Sequence, residues 1–224
     1  GVNKLQVGRS VYDFYMKEWA GVNPENGDPL WYKDLKDDNE NVIGRTTTND
    51  YSLASNYYIN KSSLPKVYGG FNTSLSWKGI DLSAVFAYSI GGYIYNRDIT
   101  MILHNGSLEG RDWSTEILKR WTPENRYTDV PALSTTSNNW NSTSTRFLQN
   151  NSYMRLKNLT LSYTLPKQWI NRIALGEVQV YVQGDNLFTI HRNQGLDPEQ
   201  GITGITYYRY PAMRTISGGI NISF

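Results

Sequence analysis

Six stretches of the chain alternate apolar and polar residues in steps of two, the spacing of a strand with two unlike faces. They are GRSVYDFYMKEW, KVYGGFNTSLSW, IDLSAVFAYSI, YMRLKNLTLSYTL, EVQVYVQGDNLFTI and the closing RTISGGINISF. In the first, Tyr12, Phe14 and Met16 share a side. In the second, Val67, Phe71, Leu75 and Trp77 oppose Tyr68, Asn72, Ser74 and Ser76; in the third, Ile80, Leu82, Ala84, Phe86 and Tyr88 oppose Asp81, Ser83 and Ser89. Val178, Val180 and Val182 alternate with Glu177, Gln179, Tyr181 and Gln183, and Ile216, Gly218, Ile220, Ile222 and Phe224 form one side of the last stretch.

Each strand thus has an oily side and a side of amides and hydroxyls. Two architectures produce this pattern. A soluble sandwich turns its polar side to water, and a membrane barrel turns its apolar side to lipid. The connections separate them. More than forty residues join the first stretch to the second, whereas Lys78-Gly79 alone joins the second to the third. A long segment from Tyr95 to Arg146 follows, with a short helix expected at WSTEILKRW; then come the eleven-residue link PKQWINRIALG and the longer HRNQGLDPEQGITG. Long and short connections alternate, as in outer-membrane barrels with short periplasmic turns and longer outer loops.

The pattern therefore predicts an all-β, antiparallel transmembrane barrel portion with long extracellular loops. Phe71, Leu75, Leu82, Phe86, Leu161, Val178, Val180 and Val182 are expected to face lipid. In this phasing Arg155 and Lys157 share the outward side with Leu159 and Leu161. They would have to sit at or above the headgroups, because a cation at the bilayer midplane costs about 2–4 kcal/mol.

Composition changes the picture in a few places. Mean hydropathy is −0.54, but alternating strands average to a neutral score, and no run approaches the ~20 apolar residues of a membrane helix. Seventeen Tyr and seven Trp among 224 residues fit aromatic girdles at two membrane interfaces. With no cysteine there is neither a disulfide framework nor a thiolate metal site. A net charge of +2 without basic clusters gives no indication of nucleic acid as a partner. The chain starts at Gly1 without an initiator methionine or a signal-peptide pattern, which suggests a processed or truncated piece.

Read in order, YDFYMKEWAGVNPENGDPLWY, LPKVYGGFNTSLSWKGIDLSAVFAYSIGGYIYN, RWTPENRYTDVPAL, SYMRLKNLTLSYTLPK, VQVYVQGDNLFT, GLDPE and RTISGGINISF span most of the chain. This succession resembles the C-terminal part of SusC/RagA-type TonB-linked outer-membrane transporters. The resemblance implies that residues 1–224 carry about the last six strands of a plugged barrel of roughly 22 strands, with the plug and earlier strands outside the chain. It further implies import of a glycan or peptide across the outer membrane of a Gram-negative bacterium. A SusD-like lipoprotein would cap the barrel, and a TonB complex would act through the missing N-terminal part. The same resemblance makes Ile220, Ile222 and Phe224 the signal read by barrel-assembly machinery, since a free edge strand invites strand addition.

Chemistry of other kinds finds little support. His104 and His191 are the two histidines, both in expected loops, with Ser107 and Glu109 near one and Asp197 and Glu199 near the other. Such neighbours do not define a catalytic or metal site, and no cofactor is expected. The acidic stretches NPENGDP and KDDNEN lack the spaced pattern of a calcium loop and read as turns. Asn-x-Ser/Thr triplets such as those at Asn105 and Asn158 arise by chance in so polar a chain. Trp31, Tyr32, Trp113, Trp121 and Trp140 fall in outer loops, where rings either meet a substrate or partner or anchor the loops to each other. The competing reading of the whole is a secreted, soluble β-sheet module that binds carbohydrate; in it, the valines and isoleucines would meet a second sheet.

Overall fold

A computed structural model describes residues 1–106, 108, 110–134, 139–170 and 175–224. In chain order the strands are β1 (Asp13–Lys17), β2 (Trp19–Val22), β3 (Pro29–Lys36), β4 (Val42–Thr48), β5 (Asn56–Ser62), β6 (Val67–Trp77) and β7 (Ile80–Ile90). Then come β8 (Tyr93–Tyr95), the short helix α1 (Arg97–Ile102), β9 (Leu148–Asn150), β10 (Tyr153–Thr164), a second short helix α2 (Lys167–Ile170), β11 (Glu177–His191) and β12 (Thr215–Ser223). Among the described residues no helix is long and apolar enough to cross a membrane. The chain divides into two units.

The second unit, residues 65–92, 150–199 and 210–224, is one antiparallel sheet in the order β12-β11-β10-β7-β6. Its tight β6–β7 turn places Lys78 and Gly79 at φ 51 and 85, the paired positive angles of a two-residue hairpin that matches strand twist. A Cβ on Gly79 would also lie 2.9 Å from the Thr164 carbonyl oxygen. The short connections close one end of the sheet, and the long ones leave from the other.

Five of the six expected strands join this sheet. The first does not: β1 pairs with β5 in the other unit. Its period-two pattern is present, with Phe14 and Met16 buried, but those side chains enter a protein core with Val2, Tyr95, Leu103 and Phe147. That unit, residues 1–64, 93–149 and 200–209, holds β1 with β5, the meander β2-β3-β4 and the pair β8-β9. WSTEILKRW forms a 3-10 turn over Thr115–Lys119, with the Ser114 hydroxyl accepting from the Glu116 amide. The stretch NPENGDP is a hydrogen-bonded turn, Asn23 Oδ1 accepting from Glu25 N and Asn26 Oδ1 from Asp28 N. KDDNEN closes the β3–β4 hairpin, with Asp37 Oδ1 accepting from the amides of Asn39 and Asn41. Ser107 and Glu109, considered beside His104, lie outside the described residues, as does 171–174 of the link after β10.

Candidate functional site

The five-strand sheet has two faces of opposite chemistry, and register pairing fixes which residues share each. Phe71 lies opposite Phe86, and Leu75 opposite Leu82. Leu82 in turn faces Leu161, which faces Val182 across the next ladder. Val178 pairs with Ile222, and Val180 with Ile220. One apolar surface therefore runs across all five strands. The Phe71 and Phe86 rings stack with centroids 4.6 Å apart.

This surface is open. Phe71, Leu75, Leu82, Leu161, Val180, Val182, Ile216, Ile220 and Ile222 are exposed, and Phe86 is half-buried. Val178 and Ala84 are buried exceptions, Val178 at the turn end of β11, the strand against which α2 packs. On the inner strands the polar face is better covered, whereas on β6 and β12 both faces are exposed. Ser162 is buried, while Gln179 and Gln183 are half-buried. Its side chains bond one another: Asn158 Nδ2 donates to Asp185 Oδ1 at 2.8 Å, Gln179 Nε2 to Ser162 Oγ at 3.3 Å, and Asn221 Nδ2 to Gln179 Oε1 at 3.2 Å. A sheet exposed to water on one side shows the reverse, with its apolar face covered.

The register corrects the expected placement of Arg155. Between Leu156 and Asn158 the pairing of β10 shifts against both neighbours: Lys157 is a bulge against β7, and Asn186 and Leu187 of β11 together oppose it on the other side. A bulge re-aims the residues beyond it. Leu156 and Met154 therefore continue the apolar face, opposite Phe86 and Tyr88, and Arg155 points to the polar face. No cation is left on the oily side of β10 alongside Leu159 and Leu161. The signal was present in the sequence: apolar residues occupy even positions at 154 and 156 and odd positions at 159, 161 and 163.

On the polar face, Arg155 is 3% exposed and binds two carboxylates. Nη2 donates to Asp197 Oδ1 and Nη1 to Glu199 Oε2, each at 2.7 Å, while Nε donates to Thr189 Oγ1 at 2.9 Å. Lys157 Nζ also donates to Glu199. Burial pushes the Asp197 carboxyl up, but the backbone N–H groups of Glu199 and Ala212 and the Arg155 guanidinium outweigh it, leaving the pKa below the ordinary carboxylate value. Asp197 and Glu199 are thus engaged in ion pairs, and His191 Nδ1 lies 3.0 Å from the Asn193 carbonyl oxygen. Among the described residues, no cluster of His, Cys, Asp and Glu could hold a metal ion.

The loop tryptophans divide. Trp31 and Trp140 are completely buried, so neither ring is presented to a substrate or partner as expected. Trp31 packs edge-on against Trp19 and Tyr51. Trp140 lies in a small core with Ile117 and Val130, under the Arg146 guanidinium. Burial brings the Arg146 pKa down to about 10 against the pull of Asp129. Trp121 donates its indole N–H to the Pro24 carbonyl, and Tyr32 lies under Arg45. Trp113 remains exposed, its ring edge against buried His104. Phe224 lies beyond the end of β12 and is almost wholly exposed. Both outer strands of the sheet, β6 and β12, have an unpaired edge.

No protein-family model matches the chain. It is 29% identical over 98% of its length to TonB-dependent receptor P3 of Formosa agariphila, covering 23% of that protein. It is 27% identical over its full length to TonB-dependent receptor SusC of Bacteroides thetaiotaomicron, covering 20% of it. Among solved structures, one described as the RagAB peptide transporter superposes with a TM-score of 0.80 at 36% identity, over 95% of this chain and 23% of that one. Another, the RagAB peptide importer in an open-open state, gives 0.79 at 32% identity over the whole chain and 24% of that one. The chain thus spans between a fifth and a quarter of the proteins it matches. Its sheet and its uncovered apolar face agree with these likenesses: the chain is similar to a portion of the barrel of SusC/RagA-type TonB-linked outer-membrane transporters.

Proposed function

We propose that the chain forms part of the wall and outer loops of a barrel that imports a nutrient across the outer membrane of a Gram-negative bacterium. The observation that carries this reading is the exposed apolar face running from Phe71 to Ile222 across five strands. So large an apolar surface is rare on a soluble monomer. Hydrocarbon chains would cover it at little cost in unmet hydrogen bonds, because ladders join each strand to its neighbours and the free edges of β6 and β12 are left to pair with further strands. Phe71, Leu75, Leu82, Phe86, Leu161, Val180 and Val182 are then the lipid-facing set, Val178 being covered within the protein at the turn end, and the amide-rich face lines the lumen.

Import would be driven by TonB acting on a part of the protein outside this chain, with no covalent chemistry here. A SusD-like lipoprotein would meet the outer loops, where Trp113 and Tyr32 keep accessible ring surface. The RagAB neighbours, described as peptide transporters, favour a peptide cargo, and a glycan is the other class that the family resemblance implies. Ile220, Ile222 and Phe224, on a free edge, suit recognition by assembly machinery through strand addition.

Fractionation of the full-length protein tests this. It should sediment with outer membranes and need detergent for release. Folded, monodisperse protein in the aqueous fraction would rule out the lipid-facing reading. Uptake of labelled peptides and glycans by a strain lacking the gene, with and without complementation, then identifies the cargo class.

A further inference from the structure

The arm that follows β11 is held unusually firmly for a loop. Asn193 is buried and donates to Asn151 Oδ1 at 2.8 Å, and Asn151 Nδ2 donates back to the Pro198 carbonyl at 2.8 Å. Asp197 Oδ1 accepts from the Glu199 amide and Oδ2 from the Ala212 amide, at 2.8 and 2.7 Å. At the centre is Arg155, whose planar fork spans Asp197 and Glu199, a geometry lysine cannot reproduce. Arg155 reaches this position because of the bulge at Lys157, which turns it away from the apolar face.

We propose that Arg155 is a positioning residue that locks the 192–199 arm across the polar face of the sheet, making the arm a fixed wall of the conduit and not a moving gate. The word conduit rests on the function proposed above; the lock itself does not. Without the guanidinium, two carboxylates would face each other partly buried, and breaking a buried pair from one side is far costlier than removing both partners. Arg192, exposed at the base of the arm, gives a protease reporter: cleavage after it requires the arm to open.

The test uses the full-length protein purified from outer membranes, with the folded barrel verified by its heat-dependent gel migration. Wild type should resist trypsin at Arg192. Arg155→Met should be cleaved there at least about tenfold faster, because cleavage follows the population of the opened arm. Arg155→Lys should stay close to Arg155→Met. The neutral triple variant Arg155→Met, Asp197→Asn, Glu199→Gln should recover much of the protection, which a role through bulk alone would not give. Wild-type cleavage rates in a folded Arg155→Met barrel, or a triple variant as open as the single one, would overturn the lock. If Arg155→Met does not assemble, Asp197→Asn carries the same comparison at nearly constant shape. Uptake decides the second half: an arm that is a fixed wall predicts impaired import once released, and undiminished import would reject it. A wild-type protein that imports nothing counts against the proposed function and leaves the proteolysis result standing.

Discussion

Phe14 and Phe71 both sit on alternating strands, yet one is completely buried and the other is 48% exposed. The difference divides the two units. In residues 1–64, 93–149 and 200–209, apolar side chains converge on each other: Phe14, Met16, Tyr95 and Phe147 in one cluster, Trp140 with Ile117 and Val130 in another. In the five-strand sheet, residues of the same type stay on an open surface, while on the inner strands Ser162 is buried and Gln179 and Gln183 are half-buried. A period of two states only that a strand has two unlike faces. What covers each face depends on whether the strand's neighbours are protein or solvent, and under the proposed function the solvent on the oily side is lipid.

The largest loss of assembled barrel should come from a charge placed on the oily face. Val182→Arg puts a cation among Leu161, Ile220 and their neighbours, at a cost of about 2–4 kcal/mol at bilayer depth. Gln183→Arg, one residue along on the polar face, should be tolerated. The amount of heat-modifiable protein in outer membranes measures both. Equal losses in the two variants would mean that lipid does not distinguish the faces, and the contrast between the units would collapse.

Next come the tryptophans of the first unit. Trp31→Ala removes a fully buried ring that packs on Trp19 and Tyr51, costing about 3–5 kcal/mol. Trp113→Ala, at an exposed position, should cost no more than about 0.5 kcal/mol. Limited proteolysis of the outer loops should show early cuts in the first variant and a wild-type pattern in the second. If binding of a lipoprotein partner depends on loop rings, Trp113→Ala is where affinity should fall without instability.

The acid response of the locked arm is smaller and has a definite sign. Asp197 has a folded pKa below its unfolded value, so its stabilising contribution is present above the ordinary carboxylate pKa and is lost as pH falls through the lower folded value. Pepsin sensitivity of the 192–199 arm should therefore stay flat down to about pH 4 and rise below it. A rise beginning near pH 6 would mean that a different group holds the arm.

The five sheet strands, most of their faces and the alternation of connections were legible from period and turn chemistry, because outside the β10 bulge each strand keeps strict alternation. Two features were not. The strand around Phe14 carries the same alternation as the sheet strands, and nothing local reveals that its partner is β5. The orientation of Arg155 depended on a bulge, visible in sequence as a change of apolar phase between Leu156 and Leu159, which is easily passed over when each strand is read in a single frame. Loop tryptophans were ambiguous for a different reason: a large ring is equally suited to binding a ligand and to filling a loop core, and burial alone separates Trp31 and Trp140 from Trp113.

The smallest effect is the most discriminating for what covers the sheet. Phe14→Ala leaves a void in a packed protein core and should cost about 3–5 kcal/mol. Phe71→Ala loses its stacking with Phe86, worth about 0.5–1.5 kcal/mol, but acyl chains flow into the space, so no cavity persists. Urea titration of the full-length barrel in bilayers, followed by the folded gel species, should place Phe71→Ala within about that range of wild type. A Phe71→Ala cost as large as that of Phe14→Ala would require a rigid protein surface against Phe71, since a fluid cannot hold a cavity open. That outcome would replace lipid with a packed partner on this face.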